Sequence, residues 1–433
     1  MPGGDVAFAS VSTVFFLQLF VILGLCGVVG WIARRWFGQP TMVGEMIAGI
    51  MLGPSLLGWV APELRQALFP EETRSILFAL SQLGIGVYMF LVGLRLRREH
   101  FSHAGPGAVA VSLSGMAVPF LAAIIITPWL TSLPILFPSH VNQLQATLFV
   151  GMAISITAFP MLARIIHERG LEGTELGTLA LTAGAFDDVV AWTVLAILLA
   201  TVGGSGLAPI LAIGGSVAFV LFMATIGVRL LAPLGAWATR GGQVTQPILA
   251  IVILLLLFAA FLMDAIGIHA AFGGFVLGAA LPKGALSEGV AKKLEPFVLV
   301  VLVPIVFAFA GFNTQLGLLL DKGLIILMLA IVLISILSKW GACWAAARLT
   351  GHDSQTAHGV GILMNARGMM EIVVLNIGLQ HGLIGPALFS MFAVMAIITT
   401  LMTAPLFRHV VLKRMQPSSG DCSLPAAAGT ARS

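Results

Sequence analysis

LGTLALTAGAFDDVVAWTVLAILLATV, residues 176–202, carries two adjacent carboxylates, Asp187 and Asp188, and no other charge. A run of this length and apolarity is a bilayer-spanning helix, for which about 20 residues suffice. A charged side chain at the centre of such a helix costs roughly 2.5 to 3.5 kcal/mol on insertion scales, so intramembrane acids face a bundle interior and line ion or proton pathways. The plainer alternative is a pair kept only to bind a neighbouring helix. Either reading requires a bundle around the pair, and so an all-α polytopic membrane protein.

Composition agrees. Hydrophobic residues make up 59% of the 433 residues and charged ones 9%, with a mean hydropathy of +1.05. That leaves too little polar surface to cover a soluble domain of this length. Cys26, Cys343 and Cys422 form neither a metal spacing nor a disulfide framework, and no cofactor is expected. The net charge of +4 does not mark a nucleic-acid binder, because the basic residues are scattered over short connections and form no patch.

The first apolar run, Val11–Ile32, follows Asp5 and precedes Arg34 and Arg35. A secretory signal has the reverse charge order and a shorter core, so this is a retained helix with its N-terminus outside. Further spans are predicted near 41–59, 74–94, 105–130, 143–166, 175–202, 208–233, 245–265, 268–282, 296–313, 323–349, 357–380 and 385–411, which makes about thirteen helices. Of the 22 basic residues, seventeen follow odd-numbered helices and three, Arg65, Arg74 and Lys322, follow even-numbered ones. This bias predicts an outer N-terminus and a C-terminus in the cytoplasm of a bacterial cell.

The chain also echoes itself. MVGEMIAGIMLGP (Met42–Pro54) resembles IHAAFGGFVLGAALP (Ile268–Pro282), and IGVYMFLVGLRL (Ile85–Leu96) resembles VPIVFAFAGFNTQL (Val303–Leu316). Helix two matches nine and three matches ten. An odd shift makes the two copies enter the membrane in opposite senses, the inverted repeat of many secondary transporters.

In such repeats, ion sites form where helices are interrupted near the midplane. Helix five has Ser155, Thr157 and Pro160 mid-span, and helix twelve has Asn365, Arg367, Gly368 and Glu371. Pro160 lacks an N–H and Gly368 favours irregular backbone, so each helix is expected to open and free its carbonyls and hydroxyls. An ordinary proline kink and a packing glycine are the simpler readings. Arg367 and Glu371, four apart, share a helix face and can neutralise one another. Lys339 has no acid on its own helix; its charge is met across the bundle, lost, or carried to the interface by snorkelling. Glu45 reads as an end or interface residue, and Asp264 and His269 as surface residues between helices eight and nine.

With QPTMVGEMIAGIMLGPSLLG, FLVGLRL, SITAFPMLARII, AFDDVVAW, DAIGIHAAFGGFVLGAALP and MNARGMMEIVVLNIG in this order, the chain resembles the monovalent cation:proton antiporter family. That family includes the Kef-type, GerN-type and electrogenic sodium/proton exchangers, and the motifs are particularly similar to those of the plant cation/H+ exchangers called CHX. The resemblance spans residues 14–412 and implies a sodium/proton antiporter-like fold in a 1–415 transporter domain. Its core would be residues 105–202 and 323–411, its dimerisation part 11–94 and 245–313, and its linker helix 208–233.

The resemblance further implies an antiporter, not an enzyme, that exchanges Na+ or K+ for H+ as a homodimer in the membrane, electrogenically given the Asp-Asp pair. Carried over by position, Asp188 would be the principal ion and proton carrier, and Asp187 would pair with Lys339. Thr157 and Ser155 would line the site, with Asp188 and Thr157 as ligands of the transported cation. Pro160, Asn365, Arg367, Gly368 and Glu371 would support the crossing. A desolvated carboxylate holds a proton or a partly dehydrated cation but not both well, and this competition couples the fluxes.

Kef-type proteins continue into a nucleotide-binding domain, whereas only a polar stretch, 416–433, follows here; it reads as a disordered cytoplasmic tail without nucleotide gating. A cation channel would use similar polar groups, yet it needs a continuous pore and no proton-competing acid. An intramembrane aspartyl protease is disfavoured because adjacent residues point about 100° apart on a helix and form no facing dyad. A sodium-coupled transporter of organic anions is the remaining alternative on this architecture.

Overall fold

The computed structural model describes residues 11–96, 105–171, 173–202, 207–240 and 243–412; the stretch 416–433 lies outside them. Among the described residues, the regular elements are all helical. In chain order the principal ones are α1 (Val11–Phe37), α2 (Thr41–Leu52), α3 (Glu71–Arg95), α4 (Pro106–Thr131), α5 (Gln143–Ser155), α6 (Phe159–Glu168), α7 (Glu175–Val202), α8 (Leu207–Phe222) and α9 (Val228–Arg240). The second half holds α10 (Gln246–Ala265), α11 (Ala270–Ala280), α12 (Ala285–Phe297), α13 (Val303–Asn313), α14 (Lys322–Leu349), α15 (Ser354–Leu363), α16 (Met369–Gln380) and α17 (Pro386–Phe407). Ten helical runs among them are long and apolar enough to cross a membrane. The expected spans 143–166, 268–282 and 357–380 instead hold shorter pieces: α5 with α6, α11 alone, and α15 with α16.

Their starts follow from local chemistry. Asn142 accepts from the Gln145 N–H at 2.9 Å while the Gln145 side chain accepts from the Asn142 N–H at 3.0 Å, a capping box for α5. The Asp353 carboxylate caps α15 through the N–H groups of Gln355 and Thr356. His269, expected at a surface, is buried and caps α11, accepting from the Ala271 N–H at 3.2 Å. An apolar half-helix starting inside protein needs a partner for its first N–H groups, and that need draws the imidazole inward.

The packing bears the mark of the internal echo. α2 lies along α13 and α3 along α11, so each segment of one copy meets the other segment of its counterpart. Glycines allow both contacts. A Cβ on Gly49 would strike the Phe307 carbonyl and one on Gly311 the Gly49 carbonyl, while Cβ atoms on Gly93 and Gly278 would strike the carbonyls of Phe275 and Phe90. Only backbone against backbone fits there, the close approach that small residues give membrane helices. On the other side, α4 packs on α5 and α14, and α7 packs on α4, α5 and α6. The outside is apolar, with Phe20, Ile125, Leu254 and Ile326 exposed, and the charged residues Asp187, Asp188, Lys339, Arg367 and Glu371 are buried. That inversion of a soluble protein suits lipid as the surrounding solvent.

Candidate functional site

Two short non-helical stretches cross beside the carboxylate pair. α5 stops at Ser155 and α6 starts at Phe159, while α15 stops at Leu363 and α16 starts at Met369. Pro160 does not lie in the first gap. It occupies the first turn of α6, where its missing N–H costs nothing and its fixed φ favours helix. Gly368 corrects a second expectation: its φ of 169° is extended, and a Cβ there would make only ordinary contacts with Met161 and Ala158. Glycine's freedom therefore does not open this helix. Hydrogen bonds across the crossing do. The Ala158 N–H donates to the Ala366 carbonyl at 2.9 Å and the Thr157 hydroxyl reaches the Met364 carbonyl at 2.9 Å. Thr400 serves both sides of Arg367, its hydroxyl oxygen accepting from the Arg367 N–H at 3.1 Å and lying 2.7 Å from the Arg367 carbonyl.

The last carbonyls of α5 point into protein and carry the negative end of a helix dipole. Two buried cations meet them. Lys339 of α14 donates to the Ser155 carbonyl, and Arg367 donates to the carbonyls of Ala153 and Ile154. Each cation also has an acid: Lys339 pairs with Asp187 at 3.0 Å and Arg367 with Glu371 at 3.0 Å. Arg367 further donates to the Ser335 hydroxyl. Lys339 is fully buried, so snorkelling to the interface is not its solution.

The two aspartates differ sharply. Asp187 is saturated: Oδ1 accepts from the Ser112 hydroxyl at 2.7 Å, and Oδ2 lies 2.8 Å from the Thr157 hydroxyl and 3.0 Å from Lys339 Nζ. Both carboxylate oxygens of Asp188 are buried with no hydrogen-bond partner among the described residues. Adjacent positions on a helix face different surroundings, and here one meets a cation and two hydroxyls while the other meets none. One turn on, the Trp192 ring stacks on Phe275 of α11 at 5.9 Å and packs on Phe272 at 6.1 Å.

Other expected residues fall close by in different roles. The Thr157 hydroxyl contacts Asp187, not Asp188. The Ser155 hydroxyl turns back to the Met152 carbonyl at 3.2 Å, so Ser155 offers the site its backbone oxygen. Asn365 donates to the Gly361 carbonyl at 2.9 Å and keeps its own oxygen unpartnered. Glu45, read as an end residue, has a buried carboxylate oxygen without a partner. Ser112, Ser335 and Thr400 escape a reading of the sequence: each lies in an apolar helix close to another hydroxyl, Ser114, Ser338 and Thr399 respectively, and nothing local separates it from that neighbour.

The arrangement has a definite chemical capacity. A carboxylate with bare, buried oxygens must be neutralised, by a proton on one oxygen or by a cation against both. The neighbouring Asp187–Lys339 pair keeps its own balance without either. A cavity of about 580 Å³, lined in part by Tyr88, Arg95, Arg164 and Glu295, opens at the basic end of the bundle.

Comparison with known proteins fits this geometry. The family model described as "Sodium/hydrogen exchanger, transmembrane" matches residues 9–412. The chain is 39% identical over 393 residues to the Na(+)/H(+) antiporter NhaS4 of Synechocystis sp., covering 90% of this chain and 95% of that protein. It is 33% identical to Cation/H(+) antiporter 18 of Arabidopsis thaliana, covering 91% of this chain but 48% of the longer plant protein. The structure of the sodium proton antiporter MjNhaP1 from Methanocaldococcus jannaschii superposes with a TM-score of 0.62 over 92% of this chain and 99% of that one, at 16% identity, and so shares the fold.

Proposed function

The chain belongs to the transmembrane sodium/hydrogen exchanger family, and from that premise we propose that it exchanges Na+ or K+ for protons by alternating access, with Asp188 as the carrier both must occupy by turns. The observation that carries this is the contrast between Asp187, saturated by Lys339, Ser112 and Thr157, and Asp188, buried with two bare oxygens. Proton and cation neutralise the same carboxylate, so the arrival of one releases the other.

Finer features follow in the same terms. The core part, about 105–202 and 323–411, carries both crossing stretches and the carboxylates, and moves against a dimerisation part, about 11–94 and 245–313, with 208–233 as linker. The protein works as a homodimer in the bacterial cytoplasmic membrane, with the N-terminus outside and the C-terminus cytoplasmic; the basic-residue bias supports that orientation. If the Asp187–Lys339 pair releases a proton when the cation enters, two protons exchange for one cation and each cycle moves net charge.

The test is exchange in everted vesicles. Addition of Na+ or K+ is expected to dissipate an imposed pH gradient, and Asp188→Asn, inserted in equal amount, is expected to abolish it. Full exchange by Asp188→Asn would remove the carrier assignment. Asp187→Asn, measured with and without a membrane potential, reports whether the cycle is electrogenic.

A further inference from the structure

The cavity at the basic end presents a chemical difficulty for a cation. Met42, Leu91, Val92 and Leu299 give it apolar walls, and among the described residues that line it only Glu295 and Tyr88 carry side-chain oxygens. Glu295 is engaged by Arg95 in an ion pair. Arg164 is held by the Thr41 hydroxyl, to which it donates at 3.1 Å. Tyr88, the one tyrosine of the chain, is 4% exposed, and no described residue hydrogen-bonds its hydroxyl. That hydroxyl is not among the buried polar atoms left without a partner, so it keeps contact with the cavity space. It lines the cavity with Arg95, Arg164 and Glu295, and it lies within electrostatic range of these three and of Asp188, which does not line the cavity.

An alkali cation surrendering water needs oxygen ligands at each stage, because a bare charge against apolar walls is prohibitively costly. The geometry points to Tyr88 as a further cation-binding residue for the exchange: its phenol oxygen ligates the partly dehydrated Na+ or K+ on its way from the cavity to the bare carboxylate of Asp188. A neutral ligand suits this post. It lends a lone pair without competing for the proton that Asp188 exchanges, and without trapping the cation in an ion pair. This rests on the antiporter assignment and on the cavity facing the cytoplasm.

The experiment compares Tyr88→Phe with the unaltered protein in vesicles of both orientations. In everted vesicles, where added cation enters from the cytoplasmic face, Tyr88→Phe is expected to raise the KM for the cation three- to tenfold, leaving maximal exchange and its pH profile unchanged. In right-side-out vesicles the KM should not move. A residue that merely supports the helix would change both orientations alike. Tyr88→Met, which removes the oxygen with a different shape, should reproduce the one-sided shift, and Leu91→Ile, on the same wall, should not. An unchanged KM in everted vesicles for either oxygen-free variant, or an equal rise on both sides, overturns the assignment of Tyr88. Absence of exchange in the unaltered protein would instead overturn the antiporter assignment.

Discussion

At the first break, the freed carbonyls of Ala153, Ile154 and Ser155 receive two buried cations, whereas at the second the groups of residues 364–367 meet neutral partners: Thr157, the Ala158 N–H and Thr400. Charge is concentrated on one side of the crossing. Lys339 then requires Asp187, and Arg367 requires Glu371, so four buried charges cancel in two pairs. What remains is Asp188, an acid with no group bonded to it. The fold thus balances its own charges in pairs at one break, and the Asp188 carboxylate beside it is the group on which the proposed exchange depends.

The asymmetry is most vulnerable at Arg367. Arg367→Ala strips two carbonyls of α5 and leaves Glu371 buried without its cation, and removal of one partner of a buried pair costs about 3 to 5 kcal/mol. Unfolding in mixed micelles should show that loss, and adding Glu371→Gln should recover part of it. If Arg367→Ala costs no more than a neutral change at the second break, the asymmetry has no energetic content.

Thr400→Val is that neutral change. It leaves the N–H and carbonyl of Arg367 without their shared hydroxyl, at about 1 to 3 kcal/mol, measured the same way.

The smallest effects lie at the outer starts of the broken helices, where the caps reverse the pattern. Asn142 caps the first with a neutral amide and Asp353 the second with a carboxylate. Asn142→Ala and Asp353→Ala should each cost about 0.5 to 2 kcal/mol near neutrality. The Asp353 carboxyl is held below its ordinary value of 3.8, chiefly by its hydrogen bond with the Thr356 side chain and also by the backbone of Thr356 and Gln355. A depressed folded pKa gives stability that is complete above the unfolded value and is lost as pH falls through the folded one. The Asp353→Ala deficit should therefore shrink below about pH 4, while the Asn142→Ala deficit persists.

Much of this could be read from the sequence because it is local. Apolar runs placed the helices, the four-residue spacing of Arg367 and Glu371 gave their pair, and the motif order gave the fold. Pro160 marked the right region, yet proline's preference for a first turn sets it after the break and not in it. Gly368 marked its region for a reason the backbone does not use. The remainder was illegible because its partners lie far away in the chain. Arg367 reaches carbonyls more than 200 positions distant, and Ser112 meets Asp187 across 75. A serine in an apolar helix bonds back to its own turn or across to another helix, and only packing decides.

The glycine contacts of α2 on α13 and α3 on α11 have a mechanical consequence. Backbone pressed on backbone has no rotamers to rearrange, and a slip of one residue at Gly311 would drive the Cβ of Ala310 or the ring of Phe312 toward the opposite chain. These seams resist shear far more than junctions made by side chains, such as Trp192 on Phe272 and Phe275, where rings have room to reorient.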